Sequence, residues 1–327
     1  MTKSPPSSTT LELSGLYTAA LDALAALAQR LHFNGRIAEA LAALAHANEL
    51  AAAEVVPAGD RARLLLQRGR LLITGGFQGE ERSAEALAVA GQVLALAPGT
   101  GRAAQALRAA AFDLTGQVHY HRELVRVERD FRAAEDLFAQ AYTLAETAAD
   151  KGALTPAAFH LGLVAQQRGD MRVARERLAV ALALADEIGD QYHKSFIVRH
   201  LGFVAQHDGD LAHARRLLAE SLALREAIGC RVYLAYSHLA LADVCLALDD
   251  ADTAEDLNRQ ALALAEAMDQ DRARMLARLN LGDVCQARGQ RAQARAEYTE
   301  ARRLAQQVGH ERALAAADAG LLATADA

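Results

Sequence analysis

The sequence predicts an all-α solenoid, a superhelix of stacked helix-turn-helix repeats. Three observations carry that reading. One pattern recurs between residues 155 and 310 at a constant offset of forty, with no insertion or deletion. Ala and Leu dominate a chain of 327 residues that has no Trp and five Pro, a composition that favours helix. Apolar residues fall at helical steps of three and four, as in Ala40, Leu44, Ala47 and Leu50. A constant period of this length means copies of one unit, each burying its apolar face against the next.

The repeated positions can be read one by one. Leu161-Gly162, Leu201-Gly202, Leu241-Ala242 and Leu281-Gly282 form one set. Gly169-Asp170, Gly209-Asp210, Asp249-Asp250 and Gly289-Gln290 form a second. Ala174, Ala214, Ala254 and Ala294 form a third, and Gly189, Gly229, Asp269 and Gly309 a fourth. Each unit therefore reads as helix A, a tight turn at the Gly-Asp, helix B, and a turn near the second Gly. The small residue after Leu lets helix A approach its neighbour, and the repeated Ala does the same for helix B. Leu178, Leu218 and Tyr298 fill the gap; Asn258 breaks this set, with Leu257 beside it as substitute. Gly at the A-to-B turn permits positive φ, and the Asp after it is placed to cap helix B.

Upstream the pattern is looser. Residues 1–10 (MTKSPPSSTT) read as a disordered N-terminal lead, without the charged-then-apolar layout of a secretory signal. Residues 11–149 read as divergent helical hairpins, with helices over about 11–31, 36–53, 60–74 and 80–97 and Asp60 as the N-cap of the third. The Gly75-Gly76 loop follows no strand and precedes no Gly-Lys-Ser/Thr, so it is a helix-to-helix turn rather than a phosphate cradle. Gly116 lies 14 residues before Asp130, whereas Gly162 lies eight before Asp170. One extended helix from Arg102 to Glu128 accommodates the difference. It places His119 and His121 on a helix, where residues two apart diverge by roughly 200°, as surface polar groups. Phe131-Arg132-Ala133-Ala134 sits forty before Met171-Arg172-Val173-Ala174, so the next helix rejoins the register. Residues 150–310 hold four regular repeats, and 311–327 a C-terminal capping helix and tail.

Composition excludes several function classes. Net charge is −6 and evenly spread, which encodes no global footprint for nucleic acid or an anionic membrane. No apolar run is long enough to span a bilayer, and a cytoplasmic location is expected. Cys230, Cys245 and Cys285 include no CxxC pair. Cys245 and Cys285 share a repeat position as small apolar-face thiols, and Cys230 falls in an exposed turn. His193, His200 and His207 recur at steps of seven, about 10 Å apart along a helix, too far for one metal. No HExxH, GxSxG or P-loop occurs. No catalytic residue, metal ligand or cofactor site is therefore expected.

These positions resemble the tetratricopeptide repeat family. Its Leu-Gly and its Ala followed four residues on by a large apolar group are kept at Leu161-Gly162 with Ala174 and Leu178, at Leu201-Gly202 with Ala214 and Leu218, and at Leu281-Gly282 with Ala294 and Tyr298. The family's early Trp is replaced by Ala158, Val198, His238 and Arg278, and its terminal Pro by Asp186, Glu226, Glu266 and Gln306. The period is forty rather than roughly 34, so the helices are longer. This is similar to the long-repeat variety in sensor regions of bacterial transcription regulators and in kinesin light chains. The resemblance implies a right-handed solenoid of about seven hairpins that is a non-catalytic scaffold, with helix A on the concave wall.

On that wall the candidate partner-binding residues are Phe159, Gln166, Phe196, Arg199, Phe203, Gln206, Tyr236, Asp243, Asn280 and Asp283. Aromatic groups mixed with Gln, Arg, Asp and Asn suit a peptide, whose backbone the amides pair and whose anchors the rings bury. The expected partner is a protein or peptide segment, not nucleic acid or membrane; the helical surface also allows a homo-oligomer. The alternative is a ligand- or peptide-sensing regulatory module. A closed pocket favours the sensor and an open groove the scaffold.

Overall fold

The computed structural model describes residues 8–325 except 54 and 77, and among them forms fifteen α-helices and no strand. The hairpins are α1 (Ser8–Phe33) with α2 (Ile37–Leu50), α3 (Ala58–Leu72) with α4 (Glu80–Leu96), and α5 (Arg102–Leu124) with α6 (Arg132–Ala148). The regular repeats follow as α7 (Lys151–Gln167) with α8 (Met171–Ile188), α9 (Gln191–His207) with α10 (Leu211–Ala227), α11 (Leu234–Ala247) with α12 (Ala251–Ala267), and α13 (Asp271–Ala287) with α14 (Arg291–Gln307). α15 (Glu311–Ala323) packs on the last hairpin. Each helix packs mainly on its neighbours in sequence, which is the contact pattern of a solenoid.

Capping explains where the regular helices begin. The carboxylates of Asp150, Asp170, Asp190, Asp210 and Asp250 each accept a hydrogen bond from the backbone N–H three residues on, at 2.9–3.2 Å. Such a cap contributes about 1 kcal/mol per helix. Gln270 and Gln290 make no side-chain cap. Ala149, with φ 53°, takes the left-handed turn that Gly189, Gly229 and Gly309 take later.

The small positions do what their size allows. A Cβ on Gly162 or Gly202 would stand 3.0 or 2.9 Å from Cγ of Leu178 or Leu218, both fully buried. On Gly282 it would stand 2.4 Å from the Tyr298 ring. Gly116 meets Phe138 in the same way at 2.6 Å. The third hairpin therefore keeps the inter-helix contact of the regular units, and its extra residues lie beyond Gly116.

Several expectations are corrected. α5 ends at Leu124, not Glu128, and residues 125–131 form a long turn. Pro57, not Asp60, precedes α3; Asp60 lies inside its first turn, where an acidic group opposes the helix dipole favourably. Residues 8–10 of the expected disordered lead begin α1, and 1–7 lie outside the described residues. Cys230 is fully buried rather than exposed, because Phe33, Val232 and Tyr233 close over its turn. Burial pushes its thiol up to about 12.

The superhelix also meets itself. The α1–α2 corner reaches the fifth and sixth hairpins, where Phe33 stacks on Tyr192 at 5.8 Å and 10° and His32 meets the Tyr233 ring edge. In the α3–α4 turn, the Gly75 carbonyl accepts from Arg272 of α13 at 3.4 Å. In the α5–α6 turn, the Val125 carbonyl accepts from the Arg312 N–H at 3.2 Å, and the Val127 N–H donates to Glu311 at 3.2 Å. Three successive turns of the first hairpins thus rest on the entering ends of the last ones. This seam roofs part of the concave wall and leaves a chamber that is still open to solvent.

Candidate binding site in the closed concave wall

A cavity of about 440 Å³ lies inside the coil. Its floor is one face of successive A helices. Pro156, Phe196, Tyr236 and Leu276 share one repeat position and all line it. Phe159 and Arg199 share a second, Leu163 and Phe203 a third, and His160 and His200 a fourth. Steps of three and four put these positions on one side of each helix. The lid comes from His32, Thr74, Gly75 and Gly76 of the first two hairpins.

Six of the ten sequence candidates line this cavity: Phe159, Gln166, Phe196, Arg199, Phe203 and Tyr236. Phe159 is only 5% exposed, and its ring meets Phe196 at 6.4 Å and the edge of His200 at 5.5 Å. Phe196 meets Tyr192 and Tyr233 edge-to-face at 5.1 and 4.9 Å. Such pairs add about 0.5–1.5 kcal/mol each beyond area burial, so the aromatic wall is preformed. Gln166 is engaged by the His200 ring nitrogen at 2.7 Å. Gln206, Asp243, Asn280 and Asp283 lie outside the cavity lining. Asn280 donates to the Asp243 carboxylate, and the Tyr298 hydroxyl lies 2.7 Å from Asp283. Crowding by surrounding protein raises the Asp243 carboxyl, against the pull of Arg199, although water still reaches the group and tempers the rise.

Charge is arranged unusually. Asp113, on α5, is buried and hydrogen-bonded to the His160 ring at 2.6 Å and to Gln117 at 2.8 Å. Burial pulls its carboxyl up, but the charge and hydrogen bond of His160, with Arg70 and Gln117, outweigh that and hold it below its ordinary value. Arg199, Arg225 and Arg272 all line the cavity, and among the described residues none has a carboxylate within 4 Å. Arg199 lies over the Phe203 ring at 4.5 Å. Arg225 is 1% exposed, over Phe196 at 4.4 Å, and donates to Ser237 at 2.7 Å. Burial lowers both guanidinium groups from their ordinary value.

The sequence reading missed Arg225, Arg272, Tyr192, Tyr233 and His121. Arg225 stands forty from Ala185 and Ala265, so an Arg at an otherwise Ala position was the available clue. His121, read as a surface group, lines the cavity, and burial lowers its imidazole to about 3. The seam that covers it joins segments far apart in sequence. His193, His200 and His207 have separate surroundings: His193 pairs with Asp190 at 2.6 Å, His200 with Gln166, and His207 is exposed. Among the described residues no three His, Cys, Asp or Glu groups converge as metal ligands, and no helix is long and apolar enough to cross a membrane.

Residues 195–267, α9 to α12, match the family model described as tetratricopeptide repeat. The chain is a helical repeat protein, and this stretch of it is similar to the tetratricopeptide repeat. Solved structures share the architecture at low identity. A Rap protein in complex with competence and sporulation factor is 13% identical, with 95% of this chain and 98% of that one covered and a TM-score of 0.56. The apo form of RapI is 11% identical, at 88% and 99% coverage and a TM-score of 0.57. The Cut9–Hcn1 hetero-tetramer of the APC/C is 16% identical, covering 93% of this chain but 55% of that one, with a TM-score of 0.61. No curated protein matches the chain. At these identities the likeness shows the α-solenoid fold and no more.

Proposed function

We propose that this protein is a non-catalytic scaffold that binds a peptide or an extended protein segment in its concave chamber. The observation that carries the reading is the preformed aromatic wall of Phe159, Phe196 and Tyr236 beside polar groups of Gln166 and Arg199. At about 440 Å³ the cavity falls within the roughly 300–1,000 Å³ range of ligand sites, enough for a few side chains and not a folded domain. Rings supply large contact area at small entropic cost, and half-buried amides pair a backbone. The Rap protein crystallised with competence and sporulation factor shares the solenoid, which supports a fold of this kind holding a partner. The outlying candidates Gln206, on α9, and Asp243, Asn280 and Asp283, on α11 and α13, would touch the continuation of a longer segment.

A second reading, a ligand-sensing regulatory module, is favoured by one observation. The seam covers the chamber, so an occupant held against both Phe196 and Gly75 bridges the two ends of the coil and biases its opening. The test of the scaffold reading is selection from a pool of random peptides, followed by hydrogen exchange of the complex. Protection should fall on α7, α9 and α11, and Phe196→Ala should weaken binding at least about tenfold. Protection on the B helices of the convex face, with α7, α9 and α11 unchanged, would overturn it.

A further inference from the structure

The first helix uses one side to join the solenoid. Leu21, Ala25 and Ala28 of α1 are buried in the core that it shares with α2 and α3. The opposite side carries Leu13, Leu16, Ala20, Ala23 and Leu27, all exposed. The three leucines are 48%, 67% and 49% exposed. Steps of three and four keep these five residues on one face. Such a narrow stripe is the seam of a two-stranded coiled coil rather than the broad face that packs into a core. Ala19 and Ala26 stand exposed beside it. Among the described residues no other helix carries three exposed large apolar side chains. Single ones, such as Leu50 on α2 and Leu322 on α15, are ordinary on a surface.

The charges of α1 are few and arranged to match. They are Glu12, Asp22 and Arg30. Asp22 is held by Arg63 of α3 at 2.6 Å. Glu12 and Arg30 are exposed and have no ion-pair partner among the described residues. Their spacing is five helical turns, so both lie on one flank of the stripe, about 27 Å apart along the axis. An acid at one end and a base at the other make the stripe the complement of its own reversed copy.

We propose that the exposed stripe of α1 docks on the same stripe of a second copy of this chain, antiparallel, about a two-fold axis between Ala20 and Ala23. Leu16 of each copy then meets Leu27 of the other, the alanines meet at the centre, and Glu12 faces Arg30 at both ends. Each contact occurs twice, so the assembly closes at two copies. Small side chains at the centre let the helix axes come close, and the leucines fill the space on either side. A Cβ on Gly15 would meet nothing within 4 Å, which leaves room beside Leu16 for the incoming leucine. A parallel pairing would set Glu12 on Glu12 and Arg30 on Arg30, and like charges repel. One pair of helices over five turns is a small interface, near the lower bound of about 1,000 Å² for specific association, so the dimer is weak and depends on concentration. No residue of the stripe lines the chamber. The inference is therefore independent of what the chamber holds, and the dimer presents two chambers at once.

Sedimentation velocity of the full chain tests this over a roughly hundredfold range of concentration, up to about 100 μM. The mean mass should climb from one copy toward two and stop there. Leu16→Glu together with Leu27→Glu should hold the chain at one copy throughout. Both positions are exposed in the single chain, so its melting temperature at low concentration should not change. Arg30→Glu should weaken association at least about tenfold, and adding Glu12→Arg should restore it, since each end then pairs opposite charges again. Should the leucine variant fail to fold, the charge variants, at exposed ends of the helix, decide. One copy at the highest concentration, a dimer that survives the leucine variant, or growth beyond two copies overturns the proposal. A dimer abolished by the leucine variant but indifferent to Arg30→Glu overturns the antiparallel arrangement and retains α1 as the contact.

Discussion

The guanidinium of Arg272 donates to the backbone carbonyl of Gly75, a residue 197 positions earlier in the chain, at 3.4 Å. Two stretches that share no repeat neighbour thus meet, and the concave wall becomes a chamber. The same seam holds the stacked rings of Phe33 and Tyr192. Phe33→Ala removes the larger contact. Loss of a buried Phe costs about 3–5 kcal/mol, and here the loss falls on closure of the coil. Small-angle scattering should show a larger radius of gyration for the variant. An unchanged radius with unchanged stability would mean that the seam does not hold the coil shut.

The glycines of the A helices offer a graded test. Ala in place of Gly gains about 1 kcal/mol of helix propensity wherever there is room. At Gly162 the added methyl meets the branched end of Leu178 at 3.0 Å, which can give by a few tenths of an ångström. At Gly282 it meets the Tyr298 ring at 2.4 Å, and that ring is buried, with its hydroxyl within hydrogen-bond distance of Asp283 and Gln286. Urea denaturation should therefore place Gly162→Ala near neutral and Gly282→Ala lower by on the order of 1–3 kcal/mol. The reverse order would show that the A-to-B contact is not where the backbones are closest.

Ala214 is fully buried in the core of the fifth hairpin, beside Leu218. Ala214→Glu brings an unpaired carboxylate into that contact and should cost about 3 kcal/mol or more. A loss below about 1 kcal/mol in chemical denaturation would place the position on a solvent-facing side.

Acid should destabilise the fold well above the ordinary carboxylate range. Burial lowers His32 and His310 from 6.5 to about 4. Both are depressed in the folded state, so the unfolded chain takes up protons first as pH falls from 6.5 to 4. Stability is complete above pH 6.5 and is lost across that window, by on the order of 1–2 kcal/mol per histidine at pH 5. His310 has a further part, since its ring nitrogen accepts from the Ala313 N–H at 3.3 Å and caps α15, a role that a protonated ring cannot fill. His310→Gln should show a smaller drop in melting temperature between pH 7.5 and 5 than the parent chain. An equal drop would assign the acid sensitivity elsewhere.

Much of this architecture is visible in the chain. Recurrence of Leu-Gly and Ala at forty-residue spacing reports contacts between adjacent helices, and those contacts are local, so sequence order and spatial order coincide. For the same reason Phe159, Phe196, Arg199 and Tyr236 could be assigned to one wall from their repeat positions. Arg225 could not, because its role depends on which rings surround it, and those come from α9 and from the turn before α11. His121 was misplaced because the cover over it arrives from Arg272, on a helix more than a hundred residues away.

The sequence by itself determined the helical hairpins, their stacking order and, for α7, α9 and α11, the face that lines the inner wall. Only the tertiary structure decided that the ends of the coil meet, that the inner wall is roofed by the turns of the first hairpins, and that Arg199, Arg225 and Arg272 gather there out of ion-pair reach of any carboxylate among the described residues. The physical reason is accumulation. Each repeat adds a small rotation set by side-chain packing, and no period in the chain records the sum of those rotations at which one end of the coil reaches the other.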